Sequence, residues 1–201
     1  ALQVGRSGAR VIVADEQNEF GGWLLGEEDI FIDNSPALDW IAKIIDELST
    51  MPNVTMLPRT TVFGYMDSNY LTLNERVTDH LPERPAHLPR QRLWKCRAKQ
   101  TVLAQGAHER PLIFAGNDLP GVMLAGAVRI YINRYATLPG QRAIVLTNND
   151  DAYRTGIALH CAGARVAIVD LRAKPSGALI RAVTDSGIEI LAGHAVIAAY
   201  G

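Results

Sequence analysis

The chain has 201 residues, 48% of them hydrophobic, with 20 basic and 21 acidic side chains and a net charge of −1, enough to bury a core in one large or two modest domains. Charges so evenly interspersed offer no field for nucleic acid or an anionic lipid surface, and no apolar run approaches the roughly 18–20 residues of a membrane span. With no signal-peptide pattern, no C-x-x-C pair around Cys96 and Cys161, and no metal-ligand spacing among its 5 histidines, the chain reads as a cytoplasmic protein with reduced thiols and no metal.

Ala1–Ser7 has the pattern of a helix tail. Val11–Ala14 is too short for a helix, rich in β-branched residues and closed by Asp15 and Glu16, the pattern of a buried parallel strand. In a dinucleotide-binding βαβ unit the second strand ends in a carboxylate that accepts hydrogen bonds from the adenosine ribose. Asp15 is therefore the first candidate binding residue, with Glu16 beside it. Gly21 and Gly22 suit a turn where the backbone passes close to a phosphate. Trp23–Asn34 reads as a loop over a ligand or partner. A helix follows with Ser35 as N-cap, Pro36 in its first turn and Leu38, Ile41, Ile45 and Leu48 as its apolar stripe. That helix is a crossover to a parallel strand at Val54–Leu57. Arg59, Thr60, Thr61 and Val62 then fall at the carboxyl edge of the sheet, where open α/β sheets bind ligands.

Val62–Tyr65 and Tyr70–Leu73 flank a turn and predict a hairpin, and the proline-bearing Thr78–Gln91 predicts a loop. Leu93–Arg97 and Gln100–Ala104 are predicted strands, the second running into Gln105, Gly106 and Ala107, where Gly106 lets the backbone approach a nucleotide. Val122–Tyr135 is a predicted helix with Val122, Ala125, Val128 and Ile132 on one face. After Pro139-Gly140, strand Ala143–Thr147, helix Ala152–Ala162 and strand Val166–Asp170 are followed by a helix capped by Ser176 and by strand Ile188–Leu191. Val196–Tyr200 reads as the start of one more strand.

GARVAIVD at Gly163–Asp170 repeats GARVIVAD at Gly8–Asp15. By the same layout, the strand and glycine-rich loop expected before Ala1 lie outside the sequence, which reads as truncated at both ends. The second copy follows Asn148-Asn149-Asp150-Asp151, a loop without glycine whose carboxylates repel a pyrophosphate that the helix dipole would attract. This half reads as degenerate, kept for architecture or contacts. The expected fold class is α/β: two nested Rossmann-like units of the FAD/NAD(P)-binding, glutathione-reductase-like kind, residues 1–139 with a β-meander at about 60–104, and residues 140–201.

Nested dinucleotide folds with a meander and an Ala-x-Gly-Ala strand end resemble the two-domain flavoprotein reductases. Four stretches narrow the resemblance: TVLAQGAHERPLIFAGNDLPGVMLAGAVRIYINRY at Thr101–Tyr135, TNNDDAYRT at Thr147–Thr155, NVTMLPRTTVFGYMDSN at Asn53–Asn69 and PRQRLWKCRAKQ at Pro89–Gln100. They resemble the alpha subunits of heterotetrameric sarcosine oxidase, with Gln105 standing where that family has threonine. The resemblance implies NAD+ that is not turned over, and partner beta, gamma and delta subunits. It further implies sarcosine oxidation on FAD in the beta subunit, electron transfer to FMN between alpha and beta, hydrogen peroxide as product, and tetrahydrofolate handled by a later alpha region. It assigns this chain no catalytic residue. It places Asp15 on the ribose, Gly21 and Gly22 near the pyrophosphate, Thr61 and Val62 on adenine through backbone atoms, and Ala104, Gln105 and Gly106 over the dinucleotide. Asp15 and Glu16 repel a 2′-phosphate, and Gln17-Asn18 supplies no arginine for one, which favours NAD or FAD over NADP. His108 has no base or acceptor placed beside it and reads as structural or surface. Two other readings stay open. One is an FAD-binding subunit of an opine or proline dehydrogenase type, which shares an E-R-P-x-x-F stretch (here Glu109–Phe114). The other is a subunit-docking scaffold with a vestigial site.

Overall fold

The computed structural model describes residues 1–200. They form two compact units, one of Ala1–Leu24 with Asp29–Gln105, the other of Leu25–Glu28 with the residues from Gly106 onward. The boundary drawn from the sequence at 139/140 falls inside the second unit.

The first unit is built on one parallel crossover. Helix α1 (Leu2–Arg6) leads to β1 (Val11–Ala14); a 3-10 turn at Gly22–Gly26 and a small antiparallel pair, β2 (Phe31–Ile32) and β3 (Ser35–Pro36), precede helix α2 (Ala37–Thr50) and β4 (Val54–Leu57). β1 and β4 pair in parallel with Val11 opposite Val54 and Ala14 opposite Leu57. The predicted crossover is thus present, but β1 is not buried: it sits in a two-stranded sheet and Ile12 is 43% exposed. Ser35 does not cap α2. Its backbone is taken up in pairing with Ile32, and Pro36 occupies the N-cap with no side-chain hydrogen bond. The buried stripe of α2 is Ala37, Ile41 and Leu48, and Leu38 faces solvent.

The rest of this unit is an antiparallel meander, β5 (Thr60–Met66), β6 (Tyr70–Arg76) and β7 (Gln91–Arg97), with β6 in the middle. A bulge between Val62 and Gly64 bends β5. Leu57, Leu71 and Leu73 form the core here, packed with Ala14, Trp94 and Cys96. Gln100–Ala104 is not a strand, because among the described residues no strand pairs with it; Val102 and Leu103 are exposed.

The second unit contains the repeat in full. Strands β8 (Arg142–Thr147), β9 (Arg165–Asp170) and β10 (Glu189–Ala192) form a parallel sheet with β9 central, joined by helices α4 (Asp151–Cys161) and α5 (Ala178–Asp185). Val145, Tyr153, Leu159, Ile168, Val183 and Ile188 make its core, against which Ala125, Val128 and Ile132 also pack. These last residues lie on α3 (Ala125–Arg129) and the π-helical turn Ile130–Arg134 that continues it. The helix predicted from Val122 therefore starts three residues later and widens midway. Ser176 does not cap α5; Gly177, at φ 144°, takes the N-cap. Val196–Tyr200 contributes only a single parallel bridge, Ala198 to Ala115. Among the described residues no helix is long and apolar enough to cross a membrane.

Candidate dinucleotide site

The candidate site of the first unit lies at the carboxyl ends of β1 and β4. Three backbone hydrogen bonds extend the pairing beyond the strands: Asp15 N donates to Leu57 O (3.1 Å), Thr60 N to Asp15 O (2.8 Å) and Arg59 N to Gln17 O (2.7 Å). They bring Asp15–Gln17 against the start of β5, so Asp15, Glu16 and Thr61–Val62 share one sheet edge. Asp15 Oδ1 accepts from Gln17 N at 2.9 Å, and among the described residues the half-buried carboxylate has no other hydrogen-bond partner. Its second oxygen is an acceptor held at a strand end. Thr60 is buried and its hydroxyl donates to Pro58 O (3.0 Å). Thr61 and Val62 are exposed.

One residue of this edge was not expected from the sequence. Arg76, at the end of β6, donates from Nη2 to the backbone oxygen of Glu16 at 3.1 Å. It arrives through the meander from 60 residues away, a distance at which no local pattern signals it.

Gly21 and Gly22 both have positive φ, 139° and 59°. A Cβ at Gly22 would meet nothing within 4 Å, so open space adjoins that backbone. Gly21 lines an apolar cleft of about 180 Å³ with Val13, Phe20, Leu24, Trp40 and Ile41. Ala104 and Gln105 lie exposed in irregular chain, and Gly106 (φ 70°) belongs to the second unit. His108 is exposed, and no cluster of three or more His, Cys, Asp and Glu among the described residues is arranged to hold a metal ion.

The second unit treats the equivalent strand end quite differently. Asp170, the repeat partner of Asp15, is fully buried. Its Oδ2 accepts from the Tyr153 hydroxyl (2.8 Å) and Arg172 Nη2 (2.7 Å), and its Oδ1 accepts from Arg172 N (2.8 Å) and Nε (3.1 Å). Arg172 Nη1 also donates to Asp150 Oδ1 at 2.7 Å. Burial pushes the Tyr153 hydroxyl up to about 12, reinforced by its bond to Asp170. Burial also works upward on Asp170, but the hydrogen bonds from Arg172 outweigh it and hold the carboxyl below its usual range. Beside this network the nearly buried Arg129 pairs with Asp151 (2.8 Å) and Glu27 (3.2 Å). The loop carboxylates were anticipated; their partners Arg172 and Arg129, and Tyr153 on Asp170, were not.

No protein-family model matches the chain. It is 49% identical over 173 residues to the sarcosine oxidase subunit alpha of Rhizobium meliloti (strain 1021), a match covering 86% of this chain and 17% of that protein. With the sarcosine oxidase subunit alpha of Corynebacterium sp. (strain U-96) the identity is 44% over 197 residues, 98% of this chain and 20% of that one. The chain is a relative of the sarcosine oxidase alpha subunits. It spans 17–20% of the length of these curated sarcosine oxidase relatives. Among solved structures, the thioredoxin reductase of T. acidophilum superposes with a TM-score of 0.70 at 13% identity, covering 100% of this chain and 62% of that one. The fold is that of the FAD/NAD(P)-binding, Rossmann-type flavoprotein reductases, the fold class expected from the sequence.

Proposed function

We propose that this chain is the NAD-binding, non-catalytic portion of the alpha subunit of a heterotetrameric sarcosine oxidase, a cytoplasmic complex with beta, gamma and delta subunits that also holds FAD and FMN. The complex demethylates sarcosine to glycine with production of hydrogen peroxide, linked to tetrahydrofolate. The 44–49% identity to sarcosine oxidase alpha subunits supports the assignment, and the observation that carries the binding role is the Asp15 carboxylate with an open oxygen at the end of β1.

The residues at that edge fit a dinucleotide. Asp15 would accept from the adenosine ribose, and Thr61 and Val62 would offer backbone atoms to adenine. The open backbone at Gly22, with Gly21 before it, would lie near the pyrophosphate. Ala104 and Gln105, which end the same unit, would lie over the dinucleotide. Glu16 beside Asp15 disfavours a 2′-phosphate, and one donor of Arg76 is already spent on the Glu16 carbonyl. The part of this chain is to bind and orient an NAD that the amine reaction does not turn over.

The test is to denature the purified complete alpha subunit and identify what it releases by mass and absorbance, after checking the native protein for flavin absorption. NAD+ without flavin is the expected result. Released FAD would overturn it in favour of a redox-active subunit of the opine or proline dehydrogenase type. A protein that releases nothing would be a docking scaffold.

A further inference from the structure

We propose that the second βαβ half is occupied by the protein itself: Arg172 takes the place at the end of β9 that a ribose takes at such a strand end, so this half accepts no dinucleotide.

Three observations in the second unit carry this. First, the acceptor is used up. The Asp170 carboxylate receives five hydrogen bonds between 2.7 and 3.2 Å from Tyr153 and Arg172 and has no exposed surface. A ribose hydroxyl could reach it only by displacing a guanidinium, which exchanges a buried ion pair for a neutral hydrogen bond.

Second, the helix end that would face a pyrophosphate is already engaged. Asp151 N donates to Asn149 Oδ1 (3.0 Å), Asn149 N to Thr147 Oγ1 (3.1 Å) and Tyr153 N to Asp150 O (3.2 Å). Two of the first-turn donors that make a helix N-terminus attract phosphate, Asp151 N and Tyr153 N, are thus bound to the loop's own atoms.

Third, the charge at that end is of the wrong sign and is internally balanced. Asp150 is paired with Arg172 and Asp151 with Arg129. An anion there would meet two carboxylates and gain no unpaired cation from their partners. The contrast with the first unit is direct, since the carboxylate of its repeat counterpart Asp15 accepts only from Gln17 N among the described residues.

Photolabelling the complete alpha subunit with 2-azido-NAD+ and mapping the labelled peptides tests this without a variant that must fold. The expected label lies on peptides containing Asp15–Asn18 or Thr60–Val62, with none on those spanning Thr147–Arg154 or Asp170–Lys174. Label on the second set, competed by unlabelled NAD+, overturns the proposal. Label on neither set upholds the self-occupied second half and refutes the NAD reading of the first, so the two fail separately.

Discussion

The Tyr153 hydroxyl donates to Asp170 at 2.8 Å, and both residues are wholly withdrawn from solvent. The tyrosine lies on α4 and the aspartate ends β9, so the bond fastens helix α4 to the central strand of the second unit's sheet. It also sets how this unit responds to pH.

Because the folded state raises the Tyr153 hydroxyl to about 12, burial first and Asp170 second, the folded protein keeps a proton that the unfolded chain releases near pH 10. This contribution is complete below about pH 10 and is lost between about pH 10 and 12, on the order of 2 kcal/mol. Urea-unfolding midpoints measured from neutral to strongly alkaline pH should show that loss. Tyr153→Phe should abolish it while costing about 1–2 kcal/mol at neutral pH through the missing hydrogen bond.

Arg172→Met should be the more damaging change, because it leaves the Asp170 charge buried without its cation, at about 3 kcal/mol or more. Adding Asp170→Leu removes the stranded charge and should recover more than half of the loss. A double-mutant cycle on thermal or urea midpoints measures the coupling. At the acid end the sign reverses: Asp170 is held below its usual range, so its contribution is present above about pH 4 and disappears as pH falls through the lower folded value.

Asp15→Ala should weaken NAD+ binding at least tenfold, the effect of losing a charge-assisted hydrogen bond of about 1.5–3 kcal/mol. The unfolding midpoint should barely move, since the side chain makes only one internal hydrogen bond among the described residues. Equal binding by variant and wild type would remove Asp15 from the site.

Two glycines with positive φ should respond unequally to alanine. At Gly116 (φ 75°) a Cβ would meet the backbone oxygen of Ala199 at 2.5 Å, while at Gly22 (φ 59°) it would meet nothing within 4 Å. Gly116→Ala should cost about 2–3 kcal/mol, combining strain with a clash against backbone, and Gly22→Ala about 1 kcal/mol from strain alone. Chemical denaturation of the two variants separates them.

What was legible in the sequence was whatever is written locally. The two GARV strands, the crossover between Val11 and Val54, the hairpin around Asp67–Asn69 and the order β8, α4, β9 all follow from short-range pattern. What was not legible depends on partners far along the chain. Gln100–Ala104 has strand composition, but composition does not provide a neighbour to pair with. Ser35 and Ser176 carry capping side chains, yet strand pairing at Ser35 and the positive-φ Gly177 moved the helix starts past them. At the candidate site, Asp15 was readable as a strand-terminal acid. Arg76 and Arg172 were not, because their significance lies in Glu16 and Asp150, 60 and 22 residues away.

Gly26 and Glu27 are tied into the second unit by Asn133, whose side-chain amide donates to Gly26 O at 2.8 Å across 107 residues, and by Arg129. Closing a loop of that length costs entropy before any contact rewards it, so these bonds are expected to form after the locally connected β8–α4–β9 sheet. Bonds made after the rate-limiting barrier govern how fast a fold comes apart more than how fast it assembles. The short segment at Gly26–Glu27 would then act as a kinetic latch: Asn133→Ala should speed unfolding and leave the folding rate almost unchanged, which stopped-flow folding and unfolding rates would check.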